Sequence, residues 1–468
     1  MVTAKRNCPW LGLALASCLC GCAGRSDPKA PITATVPSPS PTSPATASSA
    51  PAAIYSRVSF ESPLPPEPAS AEGDPLVGRS ELSADWLVAE VERVNPSLQA
   101  ASAAWRAAAE RYPQAISLDD PMFGFMISPG GVGRDQGGGW MVETSQKLSL
   151  HGKRQLRGSA AQAEADAMQG DVGDTRLVLT EAARTALLDY YLARRQAEVN
   201  ATTAELLRQF RQVAKGKYEV GQATEQDVLQ ADVEQAGLET RRTELTRDEQ
   251  VAVARINTLL HREADFPLPP PAQVAMPENL PPIEMLLEQA ERQRPDLYAR
   301  AARIRAEEAN LALAYKEYYP DPEVALKYDA FMPEQMRPQM GVNLNVPIRL
   351  SRRSAVVREA SERLQQRRAE YESRLDQVRF ELRSAYLRAV QGQQAVGLYR
   401  DRILPAVERN LDSARANYTA GRIDFLRLID AARQLSLQRD MYYQALTDYH
   451  RRLAELDRAA GGSLRPEG

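Results

Sequence analysis

After residue 22 the chain has no cysteine: Cys8, Cys18, Cys20 and Cys22 are the whole complement of a 468-residue sequence. The body can hold neither a disulfide nor a cysteine metal site. Histidine is nearly as scarce, with His151, His261 and His450 far apart and no His-x-x-x-His pair. A catalytic zinc normally takes three protein ligands, so all three read as structural or exposed, and no metal or cofactor is expected. An excess of either charge is missing too, with 58 basic against 61 acidic residues, which leaves no electrostatic footprint for nucleic acid. Gly137-Gly138-Gly139 lies in a hairpin loop before a strand, not between strand and helix, so it is no phosphate cradle. Glu307-Glu308 falls on an ordinary charged helix. With no nucleophile, base or cofactor motif, an enzyme is the least supported class.

Long apolar runs are also absent. Leu11 to Ala16 is too short to span a membrane as a helix, and after Lys5 and Arg6 it reads as an export signal. Leu19-Cys20-Gly21-Cys22 resembles the lipobox of bacterial lipoproteins, which makes residues 1–22 a lipoprotein signal peptide and Cys22 the acylated residue; Cys18, after Leu15-Ala16-Ser17, is the alternative. Ala23 after Cys22, rather than an aspartate, resembles the sorting pattern for the outer membrane. Residues 23–80 are rich in Pro, Ser and Ala, cannot bury enough apolar surface to offset ordering, and read as an extended tether.

What the body does contain is a duplication. Asn95-Pro96-Ser97-Leu98 returns as Arg294-Pro295-Asp296-Leu297, and Pro121 as Pro320, both 199 residues on. Tyr218-Glu219-Val220-Gly221 returns as Tyr418-Thr419-Ala420-Gly421, 200 on, and Leu148-Ser149-Leu150 with Arg154 answers Val346-Pro347-Ile348 with Arg352. The predicted repeats are 81–265 and 283–463, joined by a Pro-rich linker over 266–282. Each reads as helix, two short strands, a very long helix, a Gly-containing break and another long helix.

No proline occurs between Pro129 and Pro267, so about 110 residues can stay helical apart from the break. Leu179, Ala183, Ala186, Tyr190, Ala193, Ala197, Ala204 and Leu207 recur at steps of three and four, missing one apolar step at Asn200; Leu375, Val378, Leu382, Ala385 and Ala389 do likewise. A seam this narrow and alanine-rich suits closely packed, coiled-coil-like helices.

Val324, Leu326 and Tyr328 alternate with polar residues, as do Val342, Leu344, Val346 and Ile348; Phe123, Phe125 and Ile127 share a face, as do Trp140, Val142 and Thr144. Period-two alternation fits a membrane barrel strand and equally a half-buried soluble strand. Four strands cannot close a barrel, and open edges cannot face lipid, so a membrane reading requires several copies to pool their strands. Met332, Met336 and Met340 cluster at the second hairpin; such thioethers suit soft metals, but as loop and membrane-interface residues they need no metal.

The duplicated Pro-x-Leu helix starts, the run Ser145-Gln146-Lys147-Leu148-Ser149-Leu150-His151-Gly152-Lys153-Arg154, and Tyr-x-x-Gly at both breaks carry a resemblance over Leu82 to Ala460. They resemble the TolC-like outer membrane efflux family, in particular the cation-efflux branch typified by CzcC and CusC. The resemblance implies a mostly α fold with a small β part: a homotrimer whose duplicated long-helix hairpins form an α-barrel and whose β-hairpins, two per chain, share a twelve-stranded membrane barrel. It implies a passive exit duct for heavy-metal cations or drugs, partnered by a periplasmic adaptor (membrane fusion protein) and an inner-membrane pump. It also places the periplasmic tip at Tyr218, Gly221, Asp227, Tyr418, Gly421 and Asp430, with Asp227 and Asp430 as entrance carboxylates. Arg427 stands where an aspartate is expected, so Arg422 or Arg427 could instead lock the tip by pairing with Asp227. The rival from another class is a lipid-anchored periplasmic coiled-coil scaffold with a soluble hairpin.

Overall fold

The computed structural model describes residues 79–128, 138–275 and 280–462. Cys18, Cys22 and the loop around Gly131 lie outside these. Ser83 Oγ accepts the Trp86 N–H at 3.4 Å and starts α1 (Ala84–Val94). Asn95 then ends α1 in extended backbone and caps α2 (Pro96–Ala109), whose first residue is a proline with no N–H to leave unsatisfied. A short α3 (Arg111–Ile116) leads into strands β1 (Met122–Ser128) and β2 (Gly139–Lys147). From β2 the chain enters α4 (Lys153–Glu219), whose 67 residues span about 100 Å at 1.5 Å each. It returns along α5 (Glu225–Leu259).

The same order then recurs: α6 (Ile283–Gln293), α7 (Pro295–Lys316), β3 (Pro322–Asp329), β4 (Pro338–Leu344), α8 (Leu350–Leu398), α9 (Leu404–Thr419) and α10 (Phe425–Ala460). The second long helix is broken where the first is not. Pro405 has no N–H for the carbonyl of residue 401, and residues Tyr399–Ile403 widen into a π turn in which the Leu404 N–H reaches Tyr399 O.

Packing repeats with the sequence. Leu87, Val91, Leu98, Leu179, Ala183, Ala186 and Tyr190 form one buried core; Leu286, Ala290, Leu297, Val378, Leu382, Ala385 and Ala389, each 199 residues later, form another. Volume is traded between them, since Ala183 and Tyr190 answer Leu382 and Ala389. At the cap, Asn95 Nδ2 donates to Leu259 O at 2.9 Å and Arg294 Nη1 to Ala459 O at 3.2 Å, so two different side chains hold the same corner. The missed step of the first seam, Asn200, is buried with its amide donating to Leu238 O at 3.1 Å on α5. α7 crosses α4 closely because Gly170 leaves room: a Cβ there would stand 2.6 Å from Pro295 O.

The strands form one antiparallel sheet in the order β1-β2-β3-β4, so each repeat supplies a hairpin and the β2–β3 pairing joins them. β4 stops at Leu344 instead of reaching Ile348. Pro347 cannot donate to a ladder, and the segment folds into tight turns, with Ile348 N–H on Val346 O and Leu350 N–H on Ile348 O.

Candidate functional site

Two places stand apart from the helical body: the turns at the C-terminal ends of α4 and α9, and the sheet at the N-terminal ends of α4 and α8. Both turns are built alike. Gly221 and Gly421 hold φ of 74° and 71°. Their N–H groups donate to Tyr218 O and Tyr418 O, while Gln222 and Arg422 N–H donate to Lys217 O and Asn417 O. These paired bonds close each helix and need a residue that tolerates the left-handed region, hence glycine.

The side chains at the two turns are not alike. Tyr418 is 5% exposed, with its ring 5.4 Å from Phe425, whereas Tyr218 is 47% exposed. The difference comes from the helix after each turn: α10 opens with Phe425, Leu428 and Ile429, all buried, while α5 opens with Glu225 and Asp227. Burial pushes the Tyr418 phenol above its ordinary pKa, and the neighbouring Asp227 carboxylate adds to the effect. Lys217 binds the turns together. Its Nζ donates to Tyr418 O at 2.5 Å and Thr419 O at 3.3 Å, supplying a cation to the unsatisfied end of α9.

Asp227 serves as a cap, its Oδ2 accepting the Thr224 N–H at 3.3 Å in a capping box that starts α5. In the second turn the acid has moved to the cap position itself: Asp424 Oδ1 accepts the Arg427 N–H at 3.3 Å, and the Arg427 guanidinium lies 3.8 Å from the same carboxylate. The capping acid of the second turn thus stands at 424, and position 427 carries an arginine. Among the described residues no ion pair joins Asp227 to Arg422 or Arg427, so the lock expected between them is not made within the chain. Arg422 is exposed. Asp430 is exposed and pairs with Arg433 at 3.1 Å, and Arg433 also reaches Glu234 on α5 through Nε at 2.9 Å. That bond holds the Glu234 carboxyl below the usual range. Lys217, Asp424, Arg433 and Glu234 were not singled out in the sequence; only Asp424 carried a signal, as an aspartate three residues after a helix-ending glycine.

The sheet has one face of each kind. Register aligns Phe123, Thr144, Leu326 and Met340 in one row and Phe125, Val142, Tyr328 and Pro338 in the next. This face is open: Phe123 is 78% and Met340 76% exposed. The opposite face sets Glu143 against Lys327 and Lys147 against Glu323. A single chain thus exposes an apolar sheet face with β1 and β4 unpaired at its edges, at large cost in water. Met340 belongs to the apolar row, and among the described residues no His, Cys, Asp and Glu cluster could hold a metal. No helix among the described residues is long and apolar enough to cross a membrane.

Residues 286–462 match the family described as Outer membrane efflux protein. The chain is 24% identical over 318 residues to the cobalt-zinc-cadmium resistance protein CzcC of Cupriavidus metallidurans, covering 67% of this chain and 75% of that protein. Among solved structures, the outer-membrane channel OprN superposes with a TM-score of 0.70 at 22% identity, over 82% of this chain and 91% of its own. CusC does so with a TM-score of 0.70 at 18% identity, over 81% and 92%, and the outer membrane protein VceC of Vibrio cholerae with 0.68 at 18%, over 82% and 97%. Residues 286–462 thus carry this family's match, and the chain as a whole shares the fold of these outer membrane proteins.

Proposed function

We propose that the chain is the outer membrane channel subunit of a tripartite efflux system, a passive exit duct that catalyses no reaction. The observation that carries this reading is the four-stranded sheet: an exposed apolar face and two unpaired edges are stable in lipid only if copies close a barrel. Three copies would supply twelve strands, and the long helices would continue the tunnel about 100 Å into the periplasm. An acyl chain at Cys22 would add an anchor beyond the tether, and repeats 81–265 and 283–463 would each give one hairpin and one helical pair. Asp227, Asp424 and Asp430 would line the periplasmic mouth, drawing cations in. Similarity to CzcC supports heavy-metal cations as cargo, with drugs as the second class. A periplasmic adaptor and an inner-membrane pump would complete the system at the paired turns.

The test uses the absence of cysteine from the body. Glu334→Cys in the β3–β4 turn should react on intact cells with a membrane-impermeant maleimide. Labelling only after the outer membrane is permeabilised would favour a periplasmic scaffold instead.

A further inference from the structure

Near the start of each long helix stands a pair of adjacent cations 199 residues apart, Lys153-Arg154 and Arg352-Arg353. The second member of each pair reaches back within its own repeat. Arg154 Nη1 donates to Ile116 O at 3.4 Å, at the end of α3, and Arg353 Nη1 lies 3.1 Å from Glu317 at the end of α7. The first member of the first pair reaches forward into the other repeat. Lys153, 1% exposed, donates from Nζ to Tyr319 O at 2.8 Å and to Asp321 Oδ2 at 2.9 Å. It can do so because β2 pairs with β3, which brings the residues before β3 alongside the exit of β2; the Leu148 N–H donates to Pro322 O there.

Arg352 has no such strand beside it. It is exposed, and among the described residues it makes no ion pair. Nor does its own helix explain it: the first turn of α8 carries no acid, and a cation near a helix N-terminus opposes the macrodipole. The strand registers set Pro121 at the place of Asp321, and the acid beside that place is Asp120. Each precedes a proline at the start of its hairpin, Asp120-Pro121 before β1 and Asp321-Pro322 before β3. Asp120 is exposed, and β1, like β4, has an unpaired outer edge.

We propose that Arg352 of one copy pairs with Asp120 of the next, repeating between chains the bond that Lys153 and Asp321 make within one. A neighbouring copy whose β1 lies against β4 as β3 lies against β2 brings these two together and encloses them as Lys153 is enclosed. The arginine fork then meets a carboxylate in a geometry that favours two parallel bonds. The clasp sits at the base of each β4–β1 seam and fixes its register. It rests on the shared-barrel reading above.

The full-length protein in detergent provides the test. With cysteines at both positions, D120C and R352C, a short bismaleimide should link chains into dimers and trimers, and neither single variant should give a ladder. D120R and R352D should each lower the temperature at which the oligomer dissociates, and the two together should raise it back toward the parent. Far-UV circular dichroism of each variant checks that the chain itself folds. An intact oligomer that ignores both reversals, or is not linked by the cysteine pair, overturns the clasp and leaves the channel reading in place. A parent chain of monomer mass by light scattering overturns that reading and the clasp with it.

Discussion

Lys217, at the end of α4, donates from Nζ to the Tyr418 carbonyl at 2.5 Å and lies 4.3 Å from the centre of the same residue's ring. One side chain of the first repeat therefore caps a helix of the second and covers its buried tyrosine. Lys217→Met keeps the stem and removes the charge. Charged hydrogen bonds contribute about 1.5–3 kcal/mol, so amide exchange around residues 416–422 should speed up by roughly ten- to a hundredfold, read by mass spectrometry. Unchanged protection would show that the helix ends hold together without it.

Gly221 and Gly421 sit at φ of 74° and 71° with open space where a Cβ would stand. Only the backbone angle opposes a side chain there. Ala at either position should cost about 1–2 kcal/mol, and Asn should cost less than Ala. Thermal melts of the four single variants check the order.

Asp440 on α10 has Oδ1 buried without a hydrogen-bond partner among the described residues. Burial pushes its carboxyl up to about 6, with Arg241 offsetting part of the rise. The folded state holds this proton more tightly than the unfolded chain, whose carboxyl titrates near about 4. Its contribution therefore favours the fold at low pH, declines as pH rises from about 4 to about 6, and is wholly unfavourable above that. Asp440→Asn should raise stability at pH 7 and leave it little changed at pH 4. Chemical denaturation at both pH values measures the difference.

Lys153 and Asp321 form a buried pair, at 1% and 11% side-chain exposure. Removing one partner of such a pair costs about 3–5 kcal/mol. Lys153→Met should therefore destabilise strongly, and Lys153→Met with Asp321→Leu should recover much of the loss. Denaturation midpoints of the single and double variants check it.

Much of the architecture was legible because duplication leaves correlated marks. Leu98 and Leu297, Leu179 and Val378, and both glycine turns repeat at nearly one spacing, and helix length followed from where proline is absent. What sequence spacing missed depends on partners far away in the chain. Tyr218 and Tyr418 look equivalent, yet only Tyr418 is buried, because Phe425 and Leu428 stand where Glu225 and Val228 stand in the first repeat. Asp424, not a residue at 427, supplies the capping acid of the second turn, because a cap can be supplied from either side of the first helical turn. Asn200 breaks an apolar seam and is tolerated because a carbonyl on α5 meets it.

The most direct test is conductance. Purified full-length protein added to a planar lipid bilayer should produce discrete, uniform current steps from oligomers. Lys217→Met should change how often or how widely they open, since it loosens the paired turns. A bilayer that stays silent, with oligomeric protein shown to have inserted, would contradict the channel.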